Sequence, residues 1–165
     1  MIRPILLVIV ITACASCNFF RPESLGRIIN VTLSADGDIN PNNSGEPAPL
    51  RITLFSLADA EFPPESNYFD FTANGQASVP NGIVRLYDGV LTPGERRKLS
   101  LHMTEQAAAI GVIGGYREIE HARWKSTAKL PPDWPSGAWR KLIFPQHNGF
   151  YVHFHKSELT IVETE

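Results

Sequence analysis

The stretch LRITLFSL, residues 50–57, has an apolar side chain at five of its eight positions. Successive side chains of a strand point to opposite faces, so Ile52 and Leu54 share one face and Phe55 and Leu57 share the other. A strand that is apolar on both faces must be covered on both sides. We therefore predict a strand in the middle of a sheet or beneath a covering element.

Further strand patterns lie on both sides of this stretch, with Gly, Pro, Asn and Asp between them. Apolar and polar residues alternate in residues 28–34, and most clearly in residues 97–103. The other candidate strands are residues 84–90, 107–117, 124–130, 150–155 and 159–162, the last two forming a hairpin joined near Lys156 and Ser157. Seven or eight short strands predict a mainly all-β fold, a two-sheet β-sandwich.

Residues 59–74 favour one short helix instead. Aromatic residues at positions 68, 69 and 71 have near-helical spacing, and the prolines at 63 and 64 fit only at the start of a helix. We predict a helix from about Pro64 to Thr72 that packs on the sandwich.

Composition limits the domain count and the partners. The chain has 165 residues and a net charge of −2, and 19% of its residues are charged. This length suits a single domain. Because there is no basic excess, nucleic acid is not an expected partner.

The amino terminus has the pattern of a secretion signal: Arg3, an apolar run over residues 5–11, then small residues. Ile11-Thr12-Ala13-Cys14 resembles a bacterial lipobox, in which the cysteine receives lipid. This predicts a signal peptide at residues 1–13 and lipidation of Cys14, with Cys17 as the alternative. A disulfide or metal site formed by the two cysteines is a third interpretation, but no other cysteine is present to complete a zinc site.

The segment after the signal predicts how the chain is anchored. Residue 15 is Ala rather than the Asp that usually retains lipoproteins in the inner membrane, so we expect an outer-membrane protein on the periplasmic side. Residues 14–27 comprise the lipidated cysteine and a flexible tether, and residues 28–165 form the periplasmic domain. No cofactor is expected beyond the covalent lipid on Cys14.

A family resemblance appears when the segments are taken in order. The lipobox is followed by Ile39-Asn40-Pro41, LRITLF, LTPG at 91–94, IGVIGGYRE at 110–118 and ARW at 122–124. This order resembles the TssJ outer-membrane lipoproteins of bacterial type VI secretion systems. The likeness extends over nearly the whole chain after the signal.

The resemblance implies a transthyretin-like β-sandwich with one added helix; the residues themselves, which form no catalytic motif, predict no enzymatic activity. The resemblance also implies that the loop after the first strand, residues 36–47, binds the periplasmic C-terminal domain of the inner-membrane subunit TssM. The candidate partner-binding residues are Asp36, Gly37, Asp38, Ile39, Asn40, Pro41, Asn42 and Asn43. No small-molecule substrate is expected.

Two segments depart from the family pattern. Prolines 63 and 64 stand where a more helical run is expected, which leaves the helix boundaries open. Gly111, Gly114 and Gly115 stand in a strand that is usually rich in Val and Ala, which predicts a bulge or close backbone packing.

His153 and His155 support a different function, that of a periplasmic lipoprotein that binds a metal or a small ligand. They are two positions apart on a predicted strand, so both imidazoles lie on one face. We expect no metal there, because the sequence shows no nearby carboxylate or cysteine to complete the coordination shell; the favoured interpretation is two solvated histidines.

Other chemistry has weaker support. The glycines of residues 111–115 lack the spacing of a phosphate-binding loop, and no Gly-x-Ser-x-Gly motif marks a hydrolase. Trp124 is expected in a strand as part of the core. Trp134 and Trp139, set among prolines, are open to either a structural or a sugar-binding interpretation.

Overall fold

The computed structural model describes residues 28–72, 79–131 and 149–164, and this part of the chain contains eight strands and one helix. The elements are β1 Ile28–Ala35, β2 Leu50–Leu57, α1 Phe69–Thr72, β3 Ile83–Leu91, β4 Arg96–His102, β5 Ala109–Gly115, β6 Lys125–Lys129, β7 Gly149–Phe154 and β8 Leu159–Thr164. Each predicted strand is present. β2 has the predicted bounds, and β5 is shorter than the predicted 107–117.

The strands form two four-stranded sheets, in the orders β4-β1-β7-β8 and β3-β2-β5-β6. β1 and β7 pair in parallel, and every other strand pair of the described ranges is antiparallel. A hydrophobic core fills the space between the sheets, with Val31 and Val152 from the first sheet and Ile52 and Val112 from the second. The predicted two-sheet sandwich is confirmed.

β2 lies inside its sheet and is buried on both faces, as its sequence predicts. Ile52 and Leu54 point into the core between the sheets. Phe55 and Leu57 point the other way, into a second cluster on the outer face of the same sheet. The prediction of a central strand beneath a covering element is therefore confirmed.

The second cluster is built around three aromatic rings. Phe55, Phe62 and Phe71 pack edge to face, with centroid distances of 5.0–6.0 Å between the rings. Such pairs add about 0.5–1.5 kcal/mol each beyond the burial of their surface. The segment after β2 thus returns over the outer face of the sheet and shields it from water.

The predicted helix from Pro64 to Thr72 is wrong in length, because α1 contains only Phe69–Thr72. Asn67 explains the late start: its Oδ1 accepts a hydrogen bond from the Phe69 amide, and its own amide donates to the Asp70 carboxylate. This arrangement caps the first turn and begins the helix after Tyr68. Only Phe71 is buried, whereas Phe69 is 71% exposed.

The glycines of β5 provide close packing and not a bulge. The register of β2 with β5 is unbroken from Arg51 opposite Gly115 to Leu57 opposite Ala109. At Gly111 the backbone lies under the ring of Phe62, and a Cβ atom there would stand 2.5 Å from Cζ of that ring.

Trp124 requires a small correction to the predicted strand at 124–130. It lies just before β6, which begins at Lys125, and it is only partly buried. Its indole nevertheless packs against both hydrophobic clusters, so the prediction that Trp124 contributes to the core is confirmed.

Several predictions fall on residues outside the described ranges: the signal, Cys14, Cys17, the tether, Trp134 and Trp139. Within the described ranges, no helix has the length and apolar character needed to cross a bilayer.

We predict that Gly111→Ala lowers the free energy of unfolding by about 1–3 kcal/mol, because the new methyl group forces the packed Phe62 ring to move. Chemical denaturation followed by circular dichroism measures this change. Gly37→Ala is the matched control, since a Cβ atom there meets nothing within 4 Å. Equal stability of the two variants would contradict the packing argument.

Candidate partner-binding end of the sandwich

Three connections meet at one end of the sandwich. β1 ends at Ala35 and β7 at Phe154, neighbours in the parallel pair, so the loop 36–49 and the turn 155–158 leave the sheet together. β5 ends opposite Arg51, near the start of β2, which places residues 116–124 at the same end. We call this the loop end; Ile28 begins β1 at the opposite end.

The first part of the loop is anchored in the protein by Ile39 and Asn40. The Ile39 side chain is fully buried in the core between the sheets. Asn40 is also buried and adopts a left-handed conformation, with φ of 47°. Its Nδ2 donates to the Pro49 carbonyl at 2.8 Å, and its Oδ1 accepts from the Arg117 amide at 2.8 Å. Asn tolerates this conformation better than most residues with a Cβ atom.

The tip of the loop is shaped by Asn42. Its Oδ1 accepts hydrogen bonds from the amides of Ser44 and Glu46, and its carbonyl accepts one from the amide of Gly45. Gly45 has φ of 80°, a conformation that glycine adopts without steric cost. The exposed tip, residues 43–46, therefore has a defined backbone shape although it contains no helix or strand.

A groove of about 380 Å³ runs between the loop and its neighbours. Its lining includes Pro41, Asn43, Tyr116, Arg117, Glu118 and Lys156. Burial raises the pKa of the Tyr116 phenol, so the hydroxyl stays protonated. It donates a hydrogen bond to the Glu158 carbonyl at 2.7 Å. Arg117, Glu118 and Lys156 are exposed, so the rim of the groove carries charges of both signs.

The first residue of the loop, Asp36, lies against both candidate histidines. Its Oδ1 is 2.6 Å from Nε2 of His153, and its Oδ2 is 2.9 Å from Nδ1 of His155. Partial burial of the Asp36 carboxyl raises its pKa, but the hydrogen bonds from the two histidines outweigh this effect and leave the pKa below its ordinary value. Asp36 is therefore ionised at neutral pH.

Comparison with known proteins identifies the family. The family model described as "Type VI secretion lipoprotein, VasD, EvfM, TssJ" matches residues 27–157. The chain belongs to this type VI secretion lipoprotein family. The resemblance to TssJ noted in the sequence is thereby confirmed.

Solved structures share the fold. The T6SS lipoprotein TssJ1 from Pseudomonas aeruginosa is 24% identical, with a TM-score of 0.69 over 85% of this chain and 98% of that one. Serratia marcescens Lip, described as a membrane bound component of the Type VI Secretion System, is 22% identical, with a TM-score of 0.68 over 82% and 96% of the two chains.

A third match is a chain in the structure described as "T6SS protein TssM C-terminal domain (869-1107) from EAEC". It is 17% identical, with a TM-score of 0.54 over 82% of this chain and 97% of that one. Comparison with curated proteins gives no match.

In this type VI secretion lipoprotein, the eight residues predicted to bind the partner differ in accessibility. Gly37, Asp38 and Asn43 are exposed, and Pro41 and Asn42 are half-buried. Asp36 faces the histidines, while Ile39 and Asn40 are buried and hold the loop in place. Ile39 and Asn40 therefore anchor the loop, and the role of the eight residues in partner binding stays a prediction.

The predicted solvated histidine pair also requires correction. His153 and His155 do share one face, but each is only about one-third exposed, at 30% and 36%, and the carboxylate missing from the sequence pattern is supplied by Asp36. Sequence reasoning missed this contact because Asp36 is 117 positions from His153. It also missed Tyr116 and Lys156 in the groove; the position of Tyr116 at the end of a buried strand was the one available signal.

We predict that Asn40→Ala lowers the free energy of unfolding by about 2–4 kcal/mol. The substitution leaves the Arg117 amide and the Pro49 carbonyl without their partner, and alanine tolerates the positive φ less well. Thermal or urea denaturation measures the change.

Asn43→Ala is the control for this prediction, because that exposed side chain stands on the surface of the tip and its loss should alter stability by less than about 0.5 kcal/mol. If Asn40→Ala were as stable as Asn43→Ala, the anchoring role of Asn40 would be wrong.

Proposed function

We propose that this chain is an outer-membrane lipoprotein that holds the type VI secretion membrane complex to that membrane. Its loop, residues 36–47, would bind the periplasmic C-terminal domain of a TssM-like inner-membrane subunit. Membership of the type VI secretion lipoprotein family supports this role. The fold similarity to a chain in a structure whose description names the TssM C-terminal domain supports it as well.

The observation that carries the proposal is the position of the loop in the fold. β1 runs the full length of its sheet, from Ile28 to Ala35, so the first described residue and the loop lie at opposite ends. Eight strand residues span roughly 25 Å. The tether therefore joins the domain at the end opposite the loop.

The tip of the loop has the properties of a preformed recognition surface. Asn42 fixes its backbone, and Ile39 and Asn40 fix its base, so binding does not need to order the loop. Preorganisation of this kind removes an entropic cost of association. The exposed polar tip and the mixed charges of the groove favour a partner that offers hydrogen bonds and charges of both signs.

The anchor would be the lipid on Cys14. An acylated cysteine places several acyl chains in the membrane, and each buried CH₂ group contributes about 0.8 kcal/mol. Together these chains bind the membrane more strongly than stable anchoring requires. The tether that follows could extend up to roughly 40 Å. The role is one of binding, with neither catalysis nor a cofactor.

We predict that Asn43→Arg weakens binding to the TssM-like periplasmic domain by at least about ten-fold, because it places a bulky cation on the tip where the partner docks. The measurement is calorimetry with the full chain in detergent. Gln106→Arg is the matched control: it adds the same charge at an exposed site between β4 and β5, at the end that holds Ile28.

Weakening by Asn43→Arg alone supports the loop as the binding site. Equal binding by both variants would move the site elsewhere on the sandwich, and no binding by the unaltered chain would reject the proposed partner.

We predict that Cys14→Ser releases the protein from the membrane fraction and abolishes secretion, because the tether then ends without lipid. Cys17→Ser should leave both unchanged. Fractionation of cells followed by immunoblotting measures the first effect, and an assay of secreted effector measures the second. The opposite pattern would assign the lipid to Cys17, and secretion by a doubly substituted protein would disprove anchoring as a requirement.

A further inference from the structure

We propose that Asp36, His153 and His155 form a binding site for a divalent transition-metal ion of the Zn²⁺ type. The proposal concerns a second ligand at the loop end and does not depend on the partner-binding function. It rests on how the fold assembles three side chains that can coordinate such an ion.

The strand pairing creates the cluster. In the parallel register of β1 and β7, Ser34 lies opposite His153 and Ala35 lies opposite Phe154. The side chains of Ser34 and His153 face outward, and the next outward positions are Asp36 and His155. The potential ligand atoms of Asp36, His153 and His155 all lie within 4.8 Å of one another.

The arrangement of the two imidazoles is unusual for histidines that only meet solvent. Their ring centroids are 4.1 Å apart, and both rings direct a nitrogen at the same carboxylate. Two imidazoles and a carboxylate are a ligand set that Zn²⁺ binds, with water at the remaining position. Each of the three side chains is about one-third exposed, at 30–36%, so an ion can enter from solvent.

The three side chains must adjust their positions to hold an ion. Ligand atoms about 2.0–2.1 Å from a tetrahedral ion stand about 3.3 Å from one another. The present separations of 2.6 and 2.9 Å are those of hydrogen bonds. Binding would lengthen these two separations by about 0.5 Å and bring closer together the ligand atoms that stand up to 4.8 Å apart, through rotation of partly exposed side chains.

The proton balance is also simple. Because Asp36 is ionised, the nitrogens that face it carry hydrogens, namely Nε2 of His153 and Nδ1 of His155. On metal binding, each ring would coordinate as a neutral imidazole through that nitrogen, with its proton on the other one. The ion would thus replace two hydrogen bonds with three coordinate bonds, one to each ring and one to the carboxylate.

The surrounding charges permit a cation. Tyr151 packs its ring edge on His153, and Thr160 lies opposite His153 on β8, so both neighbours are neutral. Arg96 and Lys98 share the outer face on β4, which pairs directly with β1, and Arg96 lies opposite Ser34, two positions before Asp36. Both side chains are exposed, so the high dielectric of the solvent weakens their repulsion of a bound cation.

A bound ion would connect the first residue of the loop to the end of β7. Metal binding to the folded state raises its stability, since the unfolded chain does not hold the three ligands together.

The test is calorimetric titration of Zn²⁺ into the full chain in detergent, with free thiols alkylated so that the cysteines do not compete. We expect one equivalent to bind, and the thermal midpoint to rise with Zn²⁺. Loss of one ligand should weaken binding by at least about ten-fold, so His153→Gln and Asp36→Asn are the test variants. Both replacements keep hydrogen-bonding groups, and circular dichroism checks that they fold.

His102→Gln is the matched control, because His102 is an exposed histidine on the outer face of the same sheet. Weakened binding in both test variants with unchanged binding in the control supports the site. The proposal is overturned if the unaltered chain shows no saturable binding up to millimolar Zn²⁺. It is equally overturned if the two test variants bind as tightly as the control.

Discussion

The parallel pairing of β1 with β7 is the constraint on which the loop end depends. It joins an early strand to a late one in the middle of a sheet. Backbone hydrogen bonds between the two segments continue beyond the strand ends: the Asp36 amide donates to the Phe154 carbonyl, and the Asn40 amide donates to the Lys156 carbonyl. These bonds fix where the loop leaves the sheet. The contact of Asp36 with the histidines and the position of the groove both follow from that exit point.

The strands could be predicted because their signal is local. Alternation in 28–34 and 97–103, and the doubly apolar pattern of 50–57, depend on side chains that share a face within one segment. The helix was harder to predict, because aromatic spacing suggests a packed face without showing where the helix starts. A side-chain cap at Asn67 and the prolines before it limit α1 to one turn. Only Phe71 then reaches the cluster.

The loop could be located from its Gly, Asn and Pro content, but the roles of its residues could not be read from that content. Ile39 is an apolar residue in a polar stretch, and its burial depends on two sheets that the rest of the chain builds. One partner of Asn40 is 77 positions away, and those of Asp36 are 117 and 119 positions away. Contacts of this kind arise from strand order, which periodicity does not encode.

The same strand order has a consequence for biosynthesis. A chain that emerges amino terminus first presents β1 at once, whereas β7 follows after more than a hundred residues. β4 can cover one edge of β1 earlier, but the other edge stays open until residues 149–154 arrive. An open edge recruits other strands, and pairing across so long a separation is slow. The time for which this edge of β1 stays open is therefore set by the rate at which β7 is delivered.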